Sequence, residues 1–376
     1  MSGCHVMAKP ASSRCNLACR YCFYLEKPRQ PLMDDATLDA FVRQHIAAQS
    51  EDVVEFAWQG GEPTLVGLAF FRRVLAFQQR YAGGKRIQNT LQTNGVLLDD
   101  EWCDFLQQHG WLVGISLDGP ATTHDHYRVT RSGKPTHYRV IETIERLKAR
   151  HIEFNLLVVV NAYNCQQPEV LYDYLKRLGT PFIQFIPLVE WDEHNQLRID
   201  SVTGEAWGAF LCRVFECWMR EDIGKVFVQI FDSLLGVWSG YPAQMCIFSE
   251  TCGHAFALEA NGDIYQCDHY VYPEYLVGNL HQVTLSEMNS FRTVQIFAEY
   301  KRDSLPPACQ RCSVLRLCYG DCPKHRRMGK ESVLCSGYQR FFSKSAPYMK
   351  IMRDLLRQQR SPAELTRMLN LGNVTN

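Results

Sequence analysis

Between residue 5 and about residue 190 the chain alternates short apolar runs rich in β-branched and aromatic residues with segments whose apolar positions recur every three or four residues. The runs His5–Ala8, Val53–Trp58, Ile87–Gln92, Trp111–Leu117, Glu153–Val160 and Phe182–Ile186 predict strands. The intervening segments Asp35–Gln49, Phe70–Arg80, Asp99–His109, Arg139–Arg150 and Pro168–Leu178 predict amphipathic helices. Repeated β-α units imply a parallel sheet, so the fold class expected is α/β, a partial (β/α)6 barrel with ligands at the carboxyl ends of its strands. A charged stretch, Trp191–Gly204, then leads to a helical pattern near Glu205–Glu221. Beyond about residue 225 the rhythm stops and Cys and turn residues become dense, while Pro347 to Leu369 reads as a helix followed by a loose polar tail. The expected organisation is therefore a barrel over 1–225, a Cys-rich domain over 226–340 and a terminal helix and tail over 341–376.

Composition narrows the partners. Lys+Arg and Asp+Glu both total 40 in 376 residues, and no basic run is interleaved with aromatics, so a nucleic-acid or membrane-surface role is not expected. No stretch of membrane-spanning length is apolar throughout, and Met1-Ser2-Gly3-Cys4-His5 lacks a signal-peptide layout, so the expectation is a cytosolic, soluble monomer. Sixteen cysteines in a reducing compartment then argue for metal ligation over disulfides.

Three of those cysteines, Cys15, Cys19 and Cys22, are spaced C-x3-C-x2-C directly after the first strand. An iron–sulfur cubane normally takes four thiolates, so a three-Cys loop leaves one iron open to bind and activate a small molecule. Half a zinc site or unrelated core thiols are the plain alternatives, but zinc ligands usually come in two pairs and no second pair lies nearby. The spacing, with Tyr21 before the last Cys, resembles the cluster loop of radical S-adenosylmethionine (SAM) enzymes. Trp58-Gln59-Gly60-Gly61-Glu62-Pro63 follows the second strand and is similar to the GGEP element of that family. The resemblance implies that Gly60, Gly61 and Glu62 meet the methionine amino group, Ser116 the ribose and Arg128 the carboxylate. It also implies that the backbone at Tyr21 and the apolar Leu188–Val189 region flank the adenine. Asn94 and Asp118, each before a Gly, read equally as turn residues.

Eight further cysteines lie between Cys246 and Cys335. Two closed cubanes would use eight, and so would two zinc sites; spacing alone does not separate them. The pattern resembles the SPASM extension of radical SAM enzymes, which implies two auxiliary [4Fe–4S] clusters and three clusters in all. By that resemblance one auxiliary cluster takes Cys246, Cys252, Cys267 and Cys322, and the other takes Cys309, Cys312, Cys318 and Cys335. Cys4, Cys103, Cys165, Cys212 and Cys217 fall outside these sets and read as core thiols. His124, His126 and His269 read as turn or supporting residues.

Within that family Cys15–Lys27 (CNLACRYCFYLEK), WQGGEP, Ser116–Pro120, Gln184–Pro187 and Asn261–His269 are most similar to the anaerobic sulfatase-maturating enzymes. The resemblance implies cleavage of SAM to a 5′-deoxyadenosyl radical and abstraction of a β-hydrogen from a Ser or Cys of a sulfatase. The product is formylglycine, and the electron leaves through the auxiliary clusters. Asp268, beside Cys267, matches the proposed general base of the family. The expected substrate is a sulfatase segment of the form C/S-x-P/A-x-R, with flavodoxin or ferredoxin as electron donor. Glu190, Asp192 and Glu193 are candidates to meet its basic residue. Two other readings remain: a SPASM maturase that installs a thioether or another modification in a peptide, and a non-catalytic iron–sulfur redox sensor.

Overall fold

The computed structural model describes residues 3–253, 255–327 and 329–372. Among these are ten strands: β1 (His5–Lys9), β2 (Val53–Trp58), β3 (Arg86–Thr93), β4 (Leu112–Ser116), β5 (Phe154–Val160), β6 (Phe182–Pro187), β7 (Phe227–Val228), β8 (Ala255–Glu259), β9 (Asp263–Tyr265) and β10 (Leu276–Asn279). The six strands read from the apolar runs all form, with ends displaced by one residue at most. Their partners are mainly parallel, as β-α alternation requires. Among the described residues no helix is long and apolar enough to cross a membrane.

The chain forms two compact units, each assembled from separated segments. The first comprises residues 1–116, 124–154 and 253–299. In it β1, β2, β3 and β4 follow one another in parallel, and the other side of β1 is taken by β8. That pairing is parallel and unbroken, from His5 opposite Ala255 to Lys9 opposite Glu259. β8, β9 and β10 then run antiparallel. The Asn-Gly-Asp signal forms the expected hairpin, with Gly262 at φ +90° and its N–H donating to the Glu259 carbonyl at 3.0 Å. The Cys267 segment thus extends the sheet that carries the three-Cys loop.

The second unit comprises residues 117–123, 155–252 and 300–376. It holds a seventh β-α step past residue 225, contrary to the expectation that the rhythm stops there: β7 pairs in parallel with β6 and leads into the helix Gln229–Trp238. Two residues of strand are too few to give a period. The terminal helix also differs from its sequence reading. It spans Cys335–Arg357 with Pro347 inside it, and a separate helix covers Glu364–Gly372. A proline normally ends or kinks a helix. Here Tyr338, Phe341, Phe342, Met349, Met352 and Leu355 bury one face on both sides of it, and packing outweighs the missing N–H. The break falls instead near Gln359, which adopts φ 58°. The polar tail after Gly372 lies outside the described residues.

The helices Gly204–Glu221 and Cys335–Arg357 cross at Gly204, Gly208 and Gly337, where a Cβ on Gly337 would lie 2.2 Å from the Gly204 carbonyl oxygen and 2.8 Å from the Gly208 nitrogen. Phe215 and Phe341 pack at 5.7 Å beyond this contact. Gly337→Ala should therefore force the helices apart and cost about 1–3 kcal/mol. Gly236→Ala, with nothing within 4 Å of the added carbon, should be neutral or slightly stabilising. Denaturant midpoints of the two variants check the contrast.

Candidate functional site

The three-Cys loop leaves β1 and is pinned by backbone. Ser12, at φ 51°, donates its N–H to Lys9 O at 3.0 Å, and the N–H groups of Ala18 and Arg20 donate to Val129 O at 2.9 Å and Tyr127 O at 3.0 Å. The Arg131 guanidinium holds the Cys15 carbonyl at 2.8 and 3.2 Å. Two N–H donors reach the Cys15 sulfur, the Leu17 amide at 3.4 Å and the Asn94 carboxamide at 3.7 Å. Burial pushes the Cys15 thiol up to about 11, so a metal must supply the charge that makes it a thiolate. Thiols on one loop with N–H donors aimed at sulfur fit an iron–sulfur ligand set.

The paired glycines prove to serve this loop. A Cβ on Gly61 would lie 2.1 Å from Arg14 O, and one on Gly60, at φ +133°, would lie 3.2 Å from Ser12 O. The N–H groups of Gly61 and Glu62 donate to Ser12 O at 2.7 Å and Arg14 O at 2.8 Å. Glu62 turns inward and is fully buried. Its Oε1 accepts from the Thr64 amide at 3.1 Å and from the hydroxyls of Thr64 and Thr93 at 2.6 and 2.7 Å, and its Oε2 accepts from the Asn94 amide at 2.8 Å. Burial raises its pKa against those hydrogen bonds. Glu62 thus fixes Asn94, which in turn reaches Cys15.

Ser116 ends β4, and Arg128 lies 5.5 Å over the Tyr21 ring. His124 positions Arg128: its Nε2 meets the Thr136 hydroxyl at 3.1 Å, and that hydroxyl donates to Arg128 O at 2.7 Å. His126 meets Tyr127 edge-to-face, as His269 meets Phe23.

Lys9, opposite Glu259 at the end of β1, is 2% exposed. Its ammonium pairs with the Asp268 carboxylate and lies 4.3 Å over the Tyr24 ring. The Tyr24 hydroxyl donates to Glu259, and its pKa is driven far up by burial and by that carboxylate. Tyr24 packs with Ala257 and Val271, against Cys22, Phe23 and Tyr265. The hairpin carrying Cys267 and Asp268 is thereby locked to the three-Cys loop. Lys9, Tyr24 and Glu259 escaped the sequence reading. Their signal was a Lys ending an otherwise apolar strand and a Glu ending another.

In the second unit Cys309, Cys312, Cys318 and Cys335 line one pocket. The Gln339 amide reaches Cys335 and Cys312 at 3.6 and 3.9 Å. Burial pushes the Cys318 thiol up to about 12 and Cys335 to about 11. Four thiols lining one pocket fit the ligand count of a cubane. Among the described residues no three His, Cys, Asp or Glu side chains converge on a single metal ion. Cys246, Cys252 and Cys322 gather around the buried Lys301. Leu188 and Val189 are buried after β6, with Leu188 N–H bonded to Val160 O at 2.8 Å. Asp118 is internal, its Oδ1 accepting from the Val159 amide at 3.0 Å. Glu190 is paired with Lys324 at 2.9 Å, and Asp192 Oδ1 caps its own turn, while Asp192 and Glu193 stay exposed on their loop. Cys4, Cys103, Cys165 and Cys212 are buried thiols, as expected of core residues.

A family profile described as Radical SAM superfamily matches residues 10–175, and one described as iron–sulfur cluster-binding domain, SPASM, matches residues 246–313. The serine-type anaerobic sulfatase-maturating enzyme of Bacteroides thetaiotaomicron is 40% identical, covering 98% of this chain and 96% of that protein. The cysteine-type enzyme of Clostridium perfringens is 32% identical over 91% of this chain and 96% of its own length. The solved structure of native anSMEcpe with bound AdoMet and Kp18Cys peptide superposes with a TM-score of 0.86 at 31% identity, covering 93% of this chain and 99% of that one. Streptococcus suis SuiB, at 15% identity over 86% of this chain and 74% of that one, shares the fold with a TM-score of 0.64. The chain belongs to the anaerobic sulfatase-maturating enzymes, radical SAM proteins with a SPASM iron–sulfur domain.

The buried His124 gives this site an acid limit. Burial, and then Arg128, lower its pKa from 6.5 to about 3, so the folded protein holds it neutral. Its contribution is complete above pH 6.5 and is lost as pH falls toward the folded value, by about 2 kcal/mol at pH 5. His45, lowered to about 4 by burial, adds a slope of the same sign. Between pH 7 and pH 5 the denaturant midpoint of His124→Gln should fall less steeply than that of the wild type, with His5, His45 and His137, also lowered by burial, keeping their share of the slope and the burial-raised Asp232 opposing it.

Proposed function

We propose that this chain oxidises a Ser or Cys of a sulfatase, within a C/S-x-P/A-x-R segment, to formylglycine. The observation that carries the reading is the ion pair of Lys9 with Asp268, at the point where the hairpin is locked to the three-Cys loop. Cys15, Cys19 and Cys22 would hold the SAM-binding [4Fe–4S] cluster, with the backbone at Tyr21, the Gly60–Glu62 turn, Ser116, Arg128 and the Leu188–Val189 region receiving the cofactor. The remaining ligand sets would hold two auxiliary [4Fe–4S] clusters, Cys246, Cys252, Cys267 and Cys322 for one and Cys309, Cys312, Cys318 and Cys335 for the other. When bound, these groups supply a 5′-deoxyadenosyl radical that takes a hydrogen atom from the substrate β-carbon, and an acceptor for the electron that leaves afterwards.

The protein's own part is proton transfer and placement. Asp268 takes the proton of the substrate hydroxyl or thiol while the carbon radical loses its electron, so the Cβ–O bond of a Ser becomes a carbonyl and the Cβ–S bond of a Cys a thiocarbonyl, which water then hydrolyses to the aldehyde with release of hydrogen sulfide. With its side chain 24% exposed, Asp268 is within reach of a peptide, and Lys9 fixes the carboxylate from the buried side. A base adjacent in sequence to cluster ligand Cys267 lets proton and electron depart in neighbouring directions. The chain would work as a cytoplasmic monomer supplied with electrons by flavodoxin or ferredoxin. Its greater identity to serine-type than to cysteine-type relatives, 40% against 32%, favours a Ser target.

The test is anaerobic reconstitution, reduction, and assay of Ser and Cys peptides for aldehyde and 5′-deoxyadenosine together. Aldehyde forming in step with deoxyadenosine is expected; deoxyadenosine with a crosslinked or otherwise modified peptide would overturn the reading. Asp268→Asn should lower aldehyde per deoxyadenosine about a hundredfold. Equal loss of both products would make Asp268 a structural or cluster-supporting residue.

A further inference from the structure

Lys301 has no exposed surface, yet it carries an ammonium group, and its location is unusual for one. Its Nζ donates to the carbonyl oxygens of Cys246 and Ile247 at 2.7 and 2.9 Å. The carboxylate near it, Asp321, is already engaged by His325 at 2.8 Å and by the Ser332 hydroxyl at 2.7 Å. The other groups of negative tendency around Lys301 are the thiols of Cys252, Cys246 and Cys322. Burial lowers its pKa, while those thiols and Asp321 push it back up. Arg326 clamps the same region, its guanidinium donating to Lys301 O at 2.8 Å, Gly320 O at 2.6 Å, Tyr319 O at 2.8 Å and Asp321 O at 3.1 Å.

Two carbonyls do not neutralise a buried cation, and an apolar side chain would fill the volume at less cost. A four-iron cubane with thiolate ligands is net negative and gains one more negative charge when reduced, and its potential follows the charge and hydrogen bonding around it. A fixed cation beside it stabilises the reduced form more than the oxidised one. We propose that Lys301 raises the reduction potential of the auxiliary cluster held by Cys246, Cys252 and Cys322, making that cluster the acceptor of the substrate electron. The balance is simple. The substrate radical, having given its hydroxyl proton to Asp268, loses one electron and becomes the carbonyl, and the oxidised cluster gains that electron. Lys301 is a positioning residue that touches neither substrate nor SAM. The inference rests on the ligand assignment made above.

The experiment is a potentiometric titration followed by electron paramagnetic resonance, in full-length protein with Cys15, Cys19 and Cys22 replaced by Ala so that only auxiliary clusters remain. Lys301→Met and Lys301→Gln remove the charge, Gln keeping a donor for the carbonyls, and Lys301→Arg restores it. In the neutral variants one auxiliary midpoint should move negative by about 59 mV, a tenfold fall in the reduced-to-oxidised ratio at fixed potential, while the other stays. Arg should return it most of the way. In protein that retains the three-Cys loop, aldehyde per deoxyadenosine should fall in parallel. Neutral variants that hold full iron with unmoved midpoints, or that fail to hold iron whether neutral or Arg, would overturn the proposal. Failure of the wild-type chain to make aldehyde would instead strike the proposed function and leave the titration standing.

Discussion

The last register pair of β1 and β8, Lys9 opposite Glu259, is the point from which the chemistry of the first unit hangs. Just beyond Lys9 the backbone turns at Ser12 into the three-Cys loop, and just beyond Glu259 it enters the hairpin that delivers Cys267 and Asp268. Because the strands are parallel, both segments leave the same edge of the sheet in the same direction. Two cross-ties then close the arrangement: Lys9 to Asp268, and Tyr24 on the loop back to Glu259. A one-residue slip of β8 would turn its side chains to the opposite face and break both ties.

Around that pair the structure sorts its buried polar groups by task. Glu62 is consumed by four hydrogen bonds and acts as a bracket for the Asn94 backbone. Asp118 and His124 also support neighbouring backbone segments. Lys9 and Lys301 differ from these, being ammonium groups taken out of water where negative charge gathers. Burying such a group is costly; Lys9 is compensated by the Asp268 carboxylate it pairs with, whereas Lys301 donates only to backbone carbonyls. In the proposed mechanism these two lysines would stand beside the groups that receive a proton and an electron.

Much of this was legible in the chain. The strands announced themselves because each is a short apolar run bounded by turn residues; spacing marked the clustered cysteines as candidate metal ligands, while their division into sets came only with the family resemblance. Asn261-Gly262-Asp263 foretold the hairpin but not its destination, since nothing local in Ala255–Glu259 says that it pairs with β1. Single charged residues such as Lys9 and Lys301 look in sequence like any solvated lysine; only the fold reveals their burial. Gly60 and Gly61 also let the cysteine loop pass close by, a contact that their place in the GGEP element does not announce. Pro347 reads in sequence as the start of a helix but sits in the middle of one, because apolar turns on either side outweigh a local rule.

The interleaving of segments also bears on how the protein comes into being. β1 leaves the ribosome well before its neighbour β8, which begins at Ala255. Contacts of such sequence separation are slow to form and carry a large loop-closure cost. Until they do, one edge of β1 and the adjoining thiol loop lack their natural cover, open to strand pairing with other chains and to oxidation. A chain of this design would gain from an oxygen-poor cell and from cluster insertion that follows, rather than precedes, release of its carboxyl-terminal third.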